Sequence, residues 1–213
     1  MKNRSAKFLL WSIIISGVLI VLAIGIAYKM LKNASQNQIV PSQNTNNALV
    51  APSADIKIKK FTDNIYGYSF EYPTILIGGF QKLTPELEKG GVKESIVLET
   101  PRDSKDRLAV IISVEDRPDN LEKIESLANN YEEGSKTFGI ELFRITSENI
   151  TVDGIDVIER KYSIQKSSMP YSAVRFAMHG TRLYVFSVFR SSNNDDIIEM
   201  EKTILDSIHF STK

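Results

Sequence analysis

Arg182–Arg190 reads RLYVFSVFR, and within it Leu183–Phe189 is apolar at both odd and even positions apart from Ser187. A strand written this way has neither side facing water. It therefore belongs inside a sheet with helices on both faces, or with a helix on one and loops on the other. Tyr171–Met178 supplies its partner strand, joined through His179-Gly180-Thr181. On the C-terminal side a helix is expected over Asn194–Ser207, with Asp195 and Asp196 in the first turn, where the helix dipole favours anions. Its core stripe is Ile197, Met200, Ile204 and Ile208.

Towards the N-terminus, Glu141–Asn149 and Thr151–Lys166 carry strand patterns around Asp153-Gly154. That dipeptide is a strong hairpin signal, because a type I′ turn needs positive φ at both central residues. Before it, Asp119 and Glu122 form a capping box, and Leu121, Ile124, Leu127, Ala128 and Tyr131 make one apolar stripe ended by Gly134. Arg107–Glu115 is expected to be central: Leu108, Val110, Ile112 and Val114 share one face, while Ile111 adds apolar surface to the other. Glu94–Thr100 is a further strand, and Thr74–Phe80 a short extended or loop segment. Lys60–Tyr72 reads as one half-buried strand, with Tyr68, Phe70 and Tyr72 alternating against Ser69 and Glu71 until Pro73 stops it. The fold class is α+β: an α-β-α sandwich around a central, mainly antiparallel sheet of about six strands, spanning 55–213.

Phe8–Tyr28 is different in kind. No charge interrupts FLLWSIIISGVLIVLAIGIAY, and at 1.5 Å per residue a helix of this length reaches roughly 31 Å, the thickness of a hydrocarbon core. Trp11 and Tyr28 stand towards its ends, where amphipathic rings prefer the headgroup level. Lys2, Arg4 and Lys7 before it, against Lys29 and Lys32 after it, favour a cytoplasmic 1–7 and an exported remainder. A cleaved signal peptide is the alternative, since Ala23-Ile24-Gly25 and Gly25-Ile26-Ala27 place small residues at suitable spacing. Between the helix and the folded head, residues 29–54 are rich in Asn, Gln and Ser and too poor in apolar surface to offset ordering entropy, so they read as a disordered linker. The expected location is a single-pass protein of the cell membrane with its C-terminal domain outside.

A formal net charge of zero hides a segregation: five of 26 basic residues precede Asp55, whereas all 26 acidic residues lie at or after it. The head is therefore mildly acidic, which argues against nucleic acid as a partner, since that binding rests on phosphate neutralisation. The chain contains no cysteine, excluding disulfides, thiolate metal sites, a cysteine nucleophile and a lipid-modified cysteine.

No residue set qualifies as a catalytic, cofactor-binding or metal site. His179 and His209 are the only histidines and lack ligand spacing to other Cys, His or acidic residues. His179 is assigned to a hairpin turn and His209 to the end of the last helix, where a cation suits the dipole. Asp195, Asp196, Glu199 and Glu201 are explained by capping and solvation, Gly78-Gly79 and Gly90-Gly91 by turns, and Tyr66, Tyr68, Phe70 and Tyr72 by alternate residues facing the core. There is no Gly-x-Ser-x-Gly elbow. Asn149-Ile150-Thr151 and Asn33-Ala34-Ser35 match the glycosylation sequon, a short pattern that arises by chance.

Tyr66–Pro73 (YGYSFEYP) resembles the opening strand of PsbP-like domains found behind bacterial signal anchors. Ile150–Asp156 (ITVDGID) is similar to their middle hairpin, and Arg182–Phe189 with the helix ending ILDSIHF at Phe210 to their close. The chain departs from them in having no tryptophan in Thr74–Phe80. The resemblance implies an α-β-α sandwich acting as a non-catalytic accessory module that binds a protein partner or assists assembly of a membrane complex. The expectation is thus a membrane-anchored binding or assembly module without a cofactor, with an envelope protein as partner. The alternatives are an envelope hydrolase whose site is scattered in sequence, tested at His179 or Asp116, or a small-ligand or metal-binding module.

Overall fold

The strand that is apolar on both sides lies in the middle of a seven-stranded sheet. The structure is a computed structural model and describes residues 57–117, 123–137 and 139–211. The membrane helix, the linker, the sequon at Asn33 and the capping box at Asp119 and Glu122 lie outside these residues. In chain order the elements are β1 (Ile58–Asp63), β2 (Tyr68–Pro73), β3 (Ile77–Phe80), α1 (Pro85–Lys89), β4 (Val92–Glu99), β5 (Leu108–Asp116), α2 (Ile124–Thr137), β6 (Leu142–Val152), β7 (Ile155–Ile164), β8 (Tyr171–His179), β9 (Arg182–Arg190), α3 (Asp195–Asp206) and β10 (His209–Phe210).

The large sheet has the order β3-β4-β5-β9-β8-β7-β6, with every neighbouring pair antiparallel. A second, three-stranded sheet, β1-β2-β10, lies against one of its faces together with α3. On that face Leu108, Val110, Ile112, Tyr184, Phe186 and Val188 meet Tyr68 and Phe70 of β2, Ile197 and Ile204 of α3, and Phe210 of β10. The opposite face presents Ala109, Ile111, Val174, Phe176, Val185 and Phe189 to Leu127, Ala128 and Tyr131 of α2. Adjacent residues of one strand thus feed two separate cores, as the two-sided apolar pattern requires.

Four expectations are corrected. The sheet has seven strands rather than six, with three more in the small sheet. Lys60–Tyr72 is not one strand but the hairpin β1-β2: Asp63 Oδ1 accepts from Ile65 N at 2.7 Å and Tyr66 N at 2.6 Å, and Gly67 adopts φ 70°, so the chain turns. Such a side-chain turn competes locally with the extended pattern. Gly78-Gly79 belongs to strand β3, where a Cβ on Gly78 would meet the Val97 carbonyl oxygen at 2.1 Å. Finally, α2 runs through Gly134 to Thr137. It stops at Gly139, φ 73°, with Gly139 N donating to Lys136 O (2.9 Å) and Ile140 N to Ser135 O (3.0 Å). The second bond spans the six residues of a Schellman closure. The short helix α1 had no sequence signal. The Asp153-Gly154 turn has φ 51° and 80°, both positive, as a type I′ hairpin demands.

Candidate functional site

Where the β1-β2 turn meets the ends of β4, β5 and β9, the fold gathers an aromatic and charged cluster. Inward alternation of β2 drives Tyr68 into the core, where its ring packs edge-on against Tyr184 (5.9 Å) and Phe186 (5.6 Å). Its hydroxyl donates to Glu94 Oε1 on β4. Glu94 is only 7% exposed. Burial pushes its carboxyl up to about 7, the Tyr68 hydrogen bond opposes that shift, and the nearby Asp63 carboxyl adds to it. The Tyr68 phenol is itself held far above its usual range, by burial first and then by Glu94. Around this pair, Tyr184 donates to the Tyr66 carbonyl at 2.7 Å, and the Arg182 guanidinium lies 5.1 Å from the centre of the Tyr66 ring. Arg182 also approaches Asp116 at 3.8 Å, and Lys93 reaches the same carboxylate at 3.3 Å.

The Tyr68–Glu94 hydrogen bond joins the small sheet to the large one, with the Glu94 carboxyl raised by its burial. Tyr68 and Glu94 are buried while Lys93, Asp116 and Arg182 reach solvent, and among the described residues no group of three His, Cys, Asp or Glu is placed to hold a metal. Glu94 was legible in principle, because it shares the inward parity of Ile96 and Leu98 in ESIVLET, which marks a carboxylate facing the core.

The residues weighed from sequence are dispersed. His179 ends β8 opposite Arg182 rather than occupying the turn, with its ring 6.3 Å from Phe210. His209 lies on β10 and faces Asp153 at 3.2 Å; Asp153 also accepts from Phe210 N at 2.8 Å, so β10 clasps the β6-β7 turn. Asp116 is held by Lys93 and Arg182. Glu201 is buried and paired with Arg190 at 2.9 Å, apart from the exposed Asp195 and Asp196. Tyr68 and Phe70 face the core as the alternation implies.

Two surfaces stand out instead. Along the β3 edge, Ile77 and Phe80 are 57% and 64% exposed, and Ile75 and Ile58 are exposed beside them. At the other edge of the large sheet, the eleven-residue β6 exposes Phe143 and Ile145, with a register shift between Arg144 and Thr146. Large apolar side chains left uncovered at strand edges are features of interaction surfaces.

Compared with known proteins, the described fold is similar to the solution structure of CyanoP, the cyanobacterial PsbP of Synechocystis sp. PCC 6803. The TM-score is 0.55 at 17% identity, covering 77% of this chain and 98% of CyanoP. The head thus has a PsbP-like fold. A Bacteroides thetaiotaomicron crystal structure overlaps with a TM-score of 0.40 at 12% identity over 73% of this chain and 49% of that one. A Pseudomonas aeruginosa protein of unknown function gives 0.39 at 11% over 68% and 89%. No family model and no curated protein sequence matches the chain.

Proposed function

We propose that the protein is a membrane-anchored, extracytoplasmic binding or assembly module of PsbP-like fold, non-catalytic, whose head engages an envelope protein through the β6 edge. The observation that carries the reading is that edge itself. Among the described residues, strand β6 pairs with β7 on one side only, and Phe143 and Ile145 are exposed. A free strand edge offers main-chain donors and acceptors, and flanking apolar side chains supply selectivity. At the far end of the strand, Asp153 of the two-residue turn accepts from Phe210 N of β10 and faces His209.

Affinity capture of the full chain from membranes, beside the double variant Phe143→Glu and Ile145→Glu, tests the reading. A partner retained by the wild type and released by the variant, at unchanged melting temperature, is the expected result. Repeated capture of nothing overturns the module; equal retention by the variant overturns the assignment to β6. Turnover by the purified chain that is lost with Asp116→Asn or His179→Ala would instead establish an envelope enzyme.

A further inference from the structure

The open side of β6 has a defined hydrogen-bonding register. Ile164 N donates to Pro170 O at 2.8 Å, so the even-numbered residues of β7 turn their main chain towards β8. Ser147, Asn149 and Thr151 stand opposite Arg160, Ile158 and Asp156, and their N–H and C=O groups therefore point away from β7. All three side chains are exposed and uncharged. Other margins of the two sheets are blunted: β1 carries Lys59 and Lys60, while β3 and β10 are only four and two residues long. The run Thr146–Val152 (TSENITV) has no lysine, arginine or proline, and the β6-β7 register shift lies at its start, between Arg144 and Thr146. Its one charge is Glu148, opposite Glu159. Glu159 is met by Arg175 at 2.7 Å and Lys161 at 3.4 Å, whereas Glu148 has no ion pair among the described residues.

We infer that β6 accepts an antiparallel strand from its protein partner, hydrogen-bonded to Ser147, Asn149 and Thr151 and carrying a lysine or arginine opposite Glu148. The inference rests on the proposed function and names the chemistry of that partner. Unpaired donors and acceptors in line at alternate residues are matched by another extended main chain, whatever its side chains. Selection then falls to Glu148, since opposite charges across a ladder stabilise it and like charges oppose it. Phe143 and Glu148, opposite Ser163 and Glu159, share one face of the sheet, so the incoming strand meets a ring and a carboxylate on the same side. A second copy of β6 fits less well. Two-fold pairing about Asn149 sets each Glu148 diagonal to its twin on one face, and like charges approach.

The probe is a displayed library of random segments as long as TSENITV, panned on the full chain in detergent micelles. Enriched segments should be rich in β-branched residues, hold a lysine or arginine near the centre, and bind Asn149→Ala as well as wild type. Asn149→Pro removes an outward N–H and no β6-β7 bond, and should weaken binding about tenfold, equivalent to ~1.4 kcal/mol. Glu148→Lys should exchange the central base for an acid when the selection is repeated; selection of the same basic segments overturns the role of Glu148. A change on the ligand makes the test independent of how the variants fold. N-methylation of the bound segment, one residue at a time, should abolish and spare binding in alternation. Tolerance at every position overturns strand addition, as does enrichment of proline-rich or helical segments, or of none. A chain that sediments as a dimer, and as a monomer with Asn149→Pro, gives the edge to a second copy and also overturns it. A membrane partner released by Phe143→Glu with Ile145→Glu but indifferent to Asn149→Pro keeps the module reading and removes the strand.

Discussion

The two faces of the large sheet are sealed by different physics. Beneath β1-β2-β10 and α3, rings fill the space: Phe210 packs edge-on against Tyr184 at 5.2 Å and Phe186 at 6.1 Å, and Phe61 against Phe70 at 5.3 Å. Beneath α2, the centre of attachment is a cation. Arg160 of β7 is fully buried and donates to Glu125 at 2.5 Å, Asn129 at 2.9 Å and Glu132 at 2.9 Å, with Tyr162 donating to Glu132 at 3.1 Å. Rings dominate the first face, although Arg175 and Arg190 also reach α3, and a buried guanidinium joins the apolar stripe on the second. A helix gripping a buried guanidinium through three positions of one stripe loses those contacts together if it shifts.

The largest effects test this contrast directly. Arg160→Ala removes the buried cation shared by Glu125, Asn129 and Glu132, leaving Arg144 as the cation beside Glu132, and is expected to cost about 3–5 kcal/mol in denaturant unfolding. Phe186→Ala on the other face is expected to cost a similar ~3–5 kcal/mol through lost burial and a residual cavity. The two should part in rescue: adding Glu132→Gln to Arg160→Met recovers much of the loss, while no neighbouring polar change rescues Phe186→Ala. A loss below ~1 kcal/mol for Arg160→Ala breaks the comparison.

The clasp at Glu94 comes next. Its carboxyl is raised from 4.5 to about 7 in the folded protein, so folding binds a proton across that interval. The associated stability is complete below the unfolded value and is lost as pH rises through about 7, by at most ~3 kcal/mol at 1.36 kcal/mol per pKa unit. Glu115 and Glu201 are also raised, by burial against the pull of Arg117 and Arg190, and act with the same sign. Melting temperature should therefore fall between pH 5 and pH 8 (a window of about three units). Glu94→Gln should flatten that slope, and an unchanged slope would remove the clasp from the account.

A smaller effect is expected at the rim of the aromatic face. Arg175 donates to Glu159 Oε2 at 2.7 Å, to Asp206 at 3.0 Å and to the Leu205 carbonyl, joining β8 to the C-terminal end of α3. Arg175→Ala should cost about 2 kcal/mol by thermal melting, the scale of charge-assisted hydrogen bonds lost together. Smallest is Gly154→Ala, at about 1 kcal/mol, because φ 80° suits a residue without Cβ. A hydrogen-exchange map in which only the β6-β7 end opens would agree with that ranking.

Much of the apolar architecture is visible in the chain itself. The parity of β9 and β5 announces a sheet covered twice, and Ile197, Ile204 and Ile208 mark the buried side of α3 and the turn beyond it. The polar attachments are hidden by the same rules. Glu125, Asn129 and Glu132 follow helical spacing beside the apolar stripe of α2 and so read as its wet face. Only the placement of Arg160 beneath them turns that face inward. The β1-β2 break was obscured because Asp63 bends the chain with its side chain, which hydrophobic alternation does not register.

Sequence alone determined the α+β class, most strand and helix limits, the Asp153-Gly154 turn and the two-sided burial of β9, because these follow from local periodicity and backbone sterics. Tertiary structure alone decided the second sheet, the burial of Arg160, the clasp at Glu94 and which apolar residues stay in water at the β3 and β6 edges. Those depend on contacts between residues far apart in the chain, and a strand's pattern records that it is covered without recording by what.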